Sequence, residues 1–172
     1  MLRVVGIMLM SVAFAGGGFA YAELIKKEYD ALIIMMKAVE RLREEIQVGH
    51  TPLPEALERI GNRENNYMGT FFLRMVEGLS TDVAQRFLEV WKQMMETSVE
   101  YSLLTEKERQ IFEELGSSLG YLNLDYQLSA IELFLTQMED LRMERKSELK
   151  NKRKVSRVFG VASALLVSLI LI

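Results

Sequence analysis

Residues 24–61 read LIKKEYDALIIMMKAVERLREEIQVGHTPLPEALERIG, and this stretch decides the fold class. From Glu23 to Val48 the apolar residues Ile25, Tyr29, Leu32, Met36, Val39, Leu42 and Ile46 recur at steps of four and three. That spacing predicts one face of a helix about seven turns long. Ile33, Ile34 and Met35 widen the stripe, so the helix touches more than one neighbour. Lys26, Lys37, Glu40, Arg41 and Glu44 fall on its other faces. Gly49 is placed to end it as a left-handed residue. Thr51 is then positioned as an N-cap, with Pro52 at the first helical position, where a missing N–H costs nothing. Pro54 still lies in the first turn, and Glu55 favours the positive end of the helix dipole. Leu57 and Ile60 pack before Gly61 closes a short helix. The result is a sharp, rigid corner between two helices.

Downstream, 62–66 reads as a polar loop. Tyr67 to Leu79 is predicted helical, with Phe71, Phe72, Met75 and Leu79 inward. Ser80, Thr81 and Asp82 supply the next cap. A longer helix follows, with Val83, Ala84, Phe87, Leu88, Trp91, Met94 and Met95 on one side. Thr105-Glu106-Lys107-Glu108 is a capping box opening a helix whose stripe is Ile111, Phe112, Leu115 and Leu119. Gly116 lies inside that pattern and Gly120 ends it. Asp125 is read as the cap of a last helix carrying Leu128, Ile131, Phe134 or Leu135, Met138 and Leu141. No proline or glycine interrupts the chain from there to Gly160, so this helix is free to run on into the apolar end. The chain is therefore expected to be all-α, an antiparallel bundle of about six helices long enough to bury a core.

Both ends of the chain are apolar. Val4 to Ala22 is nineteen residues without a charge, and Val158 to Ile172 is fifteen. At 1.5 Å per residue the second covers about 22 Å of a hydrocarbon core of about 30 Å, a tight crossing unless Arg157 snorkels. A basic collar precedes it, with Lys150, Lys152, Arg153, Lys154 and Arg157 as membrane-interface candidates toward anionic lipid. Three segments are thus expected: an N-terminal membrane segment 1–22, a helical domain 23–157 and a C-terminal membrane segment 158–172. Lys26 and Lys27 at one end, and the collar at the other, place the domain in the cytoplasm by the positive-inside rule. The alternative is a signal peptide, with Ala20-Tyr21-Ala22 as its cleavage site. That would make the protein a C-terminally anchored extracytoplasmic binding module, with its basic collar on the wrong side.

The net charge of −3 hides an asymmetry: Arg3 and segment 146–157 contribute +6 together, which leaves residues 23–145 at −9. An acidic body argues against nucleic acid as a partner. Zero cysteines exclude disulfides and thiolate chemistry, and a single histidine, His50, leaves no His-based triad or multi-His metal centre. No P-loop, G-x-S-x-G, H-E-x-x-H or EF-hand pattern occurs. The pairs Glu44-Glu45, Glu113-Glu114 and Glu139-Asp140 are adjacent in sequence, so they splay apart on a helix. No catalytic residue, cofactor or metal is expected, and the chain reads as non-enzymatic.

The run Leu42-Arg43-Glu44-Glu45-Ile46-Gln47-Val48-Gly49-His50-Thr51-Pro52-Leu53-Pro54-Glu55-Ala56 resembles the stage III sporulation protein AB family of endospore-forming bacteria. The family pattern there is Leu, a Glu-Ile pair, Gly-His-Thr-Pro-Leu and a nearby Ala. Leu115-Gly116-Ser117-Ser118-Leu119-Gly120 is similar to the family's Gly-x-x-Leu-Gly stretch. The resemblance covers essentially the whole chain and is weakest from Asn62 to Tyr101.

It implies a bundle similar to the cytoplasmic domain of type II secretion and type IV pilus inner-membrane platform proteins, which couple a cytoplasmic ATPase to a membrane assembly. The implied role is a scaffold in the mother cell–forespore channel complex, in the mother-cell membrane around the forespore. The implied partners are the sporulation complex's ATPase and other membrane proteins of the channel. Glu45, Gly49, His50, Thr51, Pro52 and Glu55, at the rigid corner, are the partner-binding candidates, although the same corner also serves to fix an interhelical angle. Sequencing the mature N-terminus separates the two topologies. Residues 1–22 are expected to be retained, and a start at Glu23 would select the secreted form.

Overall fold

The computed structural model describes residues 2–79, 83–98, 100–120 and 123–171, with side chains for 23–79, 87–98, 100–120 and 123–147. Six α-helices account for most of these: α1 Leu2–Gln47, α2 Leu53–Arg63, α3 Tyr67–Leu79, α4 Val83–Thr97, α5 Glu106–Leu119 and α6 Leu124–Leu171. A 3₁₀ turn, Glu100–Leu103, stands between α4 and α5, and no strand occurs among the described residues. The expected all-helical class and helix number hold.

The described residues divide into two units. One is Glu28–Arg142; the other comprises Met1–Lys27 and Met143–Ile172, helical from Leu2 and up to Leu171. Among the described residues, no helix is long and apolar enough to cross a membrane. The side chains of the apolar segments 4–22 and 158–172, and of Lys150, Lys152, Arg153, Lys154 and Arg157, lie outside the described residues. So does the expected cap at Ser80 to Asp82.

The body packs consecutive helices around an aromatic centre. Phe71 from α3, Trp91 from α4 and Phe112 from α5 meet with ring centroids 4.8 to 5.4 Å apart. Phe134 of α6 joins through Phe112 at 6.0 Å. Trp91 is fully buried, and its indole N–H donates to the Phe112 carbonyl at 3.1 Å, which satisfies its polar atom. Gly116 makes this fit possible, because a Cβ there would overlap the Trp91 ring. On α1 the buried stripe is Ala31, Leu32, Met35, Ala38, Val39, Leu42 and Ile46. It is rotated slightly from the expected one, since Met36 is only half-buried and Met35 takes the core position. Tyr67 ties α3 to α1 by donating to the Ala31 carbonyl at 2.6 Å. Burial, with Glu100 and Glu108 adding, raises the Tyr67 hydroxyl far above its ordinary pKa. At the far edge of the body Arg142 of α6 donates to Glu139 at 2.6 Å and reaches Tyr29 of α1.

Helix ends differ from expectation at definite points. α3 spans the expected residues, and the Thr105–Glu108 capping box is present in both directions. α2, however, runs through Gly61 to Arg63. Gly61 serves close packing instead: a Cβ there would lie 2.7 Å from Leu73 Cγ and 3.2 Å from the Gly69 carbonyl. The connecting loop is thereby shortened, and Asn66 caps α3 by accepting from the amides of Met68 and Gly69 at 3.0 and 3.2 Å. Asn123, not Asp125, caps α6, accepting from the Tyr126 amide at 2.9 Å. Leu88 lies at the surface because its place on α4 turns away from the Trp91 face.

Two substitutions probe this core. Gly116→Ala is expected to lower stability by roughly 1–3 kcal/mol, because the Trp91 ring must shift. Thr105→Ala should cost about 1 kcal/mol through loss of the cap. Unfolding midpoints of the two variants against the parent chain check both.

Candidate functional site

The corner between α1 and α2 is built by backbone bonds that overshoot the helix end. The amides of Val48 and Gly49 both donate to the Glu44 carbonyl, at 2.9 and 3.3 Å, and the Thr51 amide reaches back to the Glu45 carbonyl at 3.2 Å. The left-handed residue is His50, with φ 50°, and not Gly49. Gly49 is needed for a different reason. A Cβ there would sit 2.5 Å from the Glu45 carbonyl oxygen and 2.9 Å from Thr51 Oγ1. Histidine is among the side chains that tolerate the left-handed region better than most, though at a cost.

The expected cap is also relocated. Pro52 occupies the N-cap position of α2, with φ −58° and ψ 145° and no side-chain cap. Pro54 is consequently the second helical residue. Thr51 turns inward instead, buried at 6 % exposure, and its hydroxyl accepts from Arg59 Nη1 at 3.5 Å. The reason is the return of the Thr51 amide to α1, which draws Thr51 onto that helix and away from the α2 axis.

Arg59 links the candidates. Its Nη2 donates to Glu55 Oε1 at 2.8 Å, one turn earlier on α2, and its Nη1 faces Glu45 Oε2 at 3.4 Å on α1. Glu45, Thr51 and Glu55 thus meet on one guanidinium, while Gly49 and His50 form the exposed tip and Pro52 fixes the exit. Val48, beside them, is 80 % exposed. Sequence reasoning missed Arg59. The Glu55–Arg59 spacing of four on a helix was the available signal, whereas the link to Glu45 requires the fold.

Below the tip lies a groove of about 440 Å³ lined by Arg41, Glu44, Glu45, Arg59, Ile60 and Arg63. Arg41 forms an ion pair with Glu64, which follows α2. Elsewhere one carboxylate of two adjacent pairs takes a cationic partner: Glu113 pairs with Lys92 at 2.5 Å, and Glu139 with Arg142. A second cavity of about 330 Å³ is lined by residues that include Tyr67, Arg74, Met94 and Thr97, and the Tyr67 hydroxyl is committed to Ala31. Among the described residues no group of acidic or histidine side chains is arranged to hold a metal.

The sequence pattern of stage III sporulation protein AB matches residues 3–172. The chain belongs to that family. It is 25% identical over 173 residues to stage III sporulation protein AB of Bacillus subtilis (strain 168), covering 99% of each chain. A solved structure of stage III sporulation protein AB shares its fold, with a TM-score of 0.61 at 21% identity over 72% of this chain and 97% of that one. The stage III sporulation protein AB resemblance carried by Gly49-His50-Thr51-Pro52-Leu53 therefore coincides with the corner, where backbone geometry leaves little freedom of residue choice.

Two variants test that geometry in opposite directions. Gly49→Ala is expected to destabilise by roughly 1–3 kcal/mol, since its Cβ cannot avoid the Glu45 carbonyl. His50→Gly should be stabilising by about 0.5–1 kcal/mol, the relief of a left-handed backbone less the added chain entropy. Denaturant titration of both variants gives the signs.

Proposed function

We propose that this chain is a non-enzymatic scaffold subunit of the mother cell–forespore channel complex that docks the complex's cytoplasmic ATPase to the membrane assembly. Segments 1–22 and 158–172 anchor it in the mother-cell membrane around the forespore, and the helical domain 23–157 faces the cytoplasm. The distribution of Lys and Arg beside the two apolar segments supports that orientation. Lys150, Lys152, Arg153, Lys154 and Arg157 meet anionic headgroups, and an acidic body is kept off the same surface by its charge.

The observation that carries the reading is the corner. His50 holds an unfavourable backbone conformation and is solvent-exposed. Val48 is the most exposed of the large apolar side chains of the described residues. A strained backbone and an exposed apolar residue on one rigid projection are more consistent with a contact surface than with folding alone. The other membrane proteins of the channel are the further partners in this reading.

The test combines side and contact. A cysteine replacing exposed Ser117 is expected to stay unlabelled by an impermeant thiol reagent in intact sporulating cells and to label after permeabilisation. Recovery of the ATPase with the membrane-extracted chain is expected to fall about tenfold in His50→Gly, which keeps the turn, and in Glu55→Lys. Labelling from outside would reverse the topology, and undiminished recovery in both variants would remove the corner from the interface.

A further inference from the structure

Within the body, α6 has two unlike sides. Gln127, Ile131, Phe134, Met138 and Leu141 are buried and seal the core. Turned away from them, Tyr126, Ser129, Leu133, Thr136 and Asp140 recur at steps of three and four, and all five are exposed. Tyr126 is 51 % exposed and Leu133 58 %, and Leu124 at the start of the helix adds a third large apolar side chain. Single exposed apolar residues are ordinary on any surface. Here two of them stand one heptad apart on one straight face, with only Ser129 and half-buried Ala130 between them. That is the spacing at which a second helix can lay its own side chains between them.

The charge around this face has one sign. Residues 110–141 hold six Asp and Glu and no Lys or Arg, so this segment carries two thirds of the body's charge of −9. Glu113 is paired with Lys92 and Glu139 with Arg142. Asp125, Glu132 and Asp140 have no ion pair among the described residues, and all three are exposed. Asp125 and Glu132 run along one edge of the face and Asp140 continues the face itself, whereas the other edge, Ala130 and Gln137, is uncharged.

This pattern selects among occupants. Anionic lipid and nucleic acid would meet carboxylates without a compensating base. A second copy pairing through the same face would set acid against acid in either direction, a juxtaposition that costs energy. A metal ion gains nothing, because the carboxylates do not converge among the described residues. A partner with an apolar stripe and Lys or Arg beside it gains both the buried area of Tyr126 and Leu133 and the charge match.

We propose that the exposed face of α6 from Tyr126 to Asp140 docks a basic amphipathic helix of another protein. The apolar stripe of that helix covers Tyr126 and Leu133, and its bases reach Asp125, Glu132 and Asp140. Spanning these positions takes about 21 Å, or roughly four turns of the partner helix. This surface is separate from the corner and adds a second contact to the body.

The test uses the full chain in intact sporulating cells, with a photo-cross-linking amino acid at position 129 and a control at position 93. Ser129 and Gln93 are both exposed, the second on α4. Position 129 is expected to give a protein adduct that position 93 does not, mapping to a segment whose Lys and Arg recur at helical spacing. Joint Glu132→Lys and Asp140→Lys, and separately Leu133→Ser, should each lower its yield about tenfold, while Leu133→Met keeps most of it. Exchanging the mapped bases for Glu in the partner should restore the yield with the doubly reversed chain. An adduct to a second copy of this chain, to lipid, or to a segment without that basic spacing overturns the proposal. So does an adduct that withstands either substitution or that the compensating exchange fails to restore. The absence of any adduct at position 129, in a chain that accumulates as the parent does, overturns it as well.

Discussion

The hydrogen bond from the Thr51 amide to the Glu45 carbonyl sets the course of everything after α1. It forms only if the chain doubles back over the helix end, which requires a left-handed residue at 50 and no side chain at 49. Once made, it fixes where α2 begins, and Pro52 removes the remaining backbone freedom there. α2 then lies close enough to α3 that Gly61 and Gly69 must both be bare, the second against the Glu64 carbonyl. A short hydrogen-bonded corner thus dictates helix contacts well beyond itself. Its own face, with Val48 and His50, stays exposed among the described residues.

The charged contacts around the corner add little to stability. Arg59 and Glu55 are each more than half exposed, and the Arg59–Glu45 contact is long at 3.4 Å. Pairs of this kind contribute about 0–1 kcal/mol and are screened by salt. Stability comes from the aromatic centre, where Trp91, Phe71, Phe112 and Phe134 pack together and the Trp91 indole N–H is satisfied. The two regions have separate tasks: the centre holds the fold, and the corner can vary its charge without endangering it. Charge at the corner therefore contributes little to holding the helices together.

Much of this was legible before any coordinates. Strong periodicity identified the helices, and the helix-forming stretches were long enough for period alone to suffice. Buried Trp91, the Thr105–Glu108 box and the bounds of α3 follow from local rules. Three of the four errors share a cause. Gly49, Gly61, Thr51 and Asp125 each read as ending or capping a helix, and at the first three a contact outside the local rule prevails. Gly49 yields to a carbonyl contact, Gly61 to a neighbouring helix, and Thr51 to the return of its own amide. At Asp125 the competitor was Asn123, two residues earlier and equally able to cap. The site was legible as a place, through Gly49-His50-Thr51-Pro52, but not as a network, because Arg59 and Glu45 are neighbours only after the chain has turned.

That turn also bears on the two long helices of the chain. The corner closes α1, and α1 is a single helix from Leu2 to Gln47 with no proline in it. The corner therefore closes the end of α1 that carries the buried stripe from Ala31 to Ile46. A continuous helix is stiff over this distance compared with a loop, since bending it requires distortion of successive backbone hydrogen bonds. α6 is likewise unbroken from Leu124 to Leu171 and meets α1 through Arg142 and Tyr29. Within the body, the polar link from Arg142 to Tyr29 ties together the two longest helices.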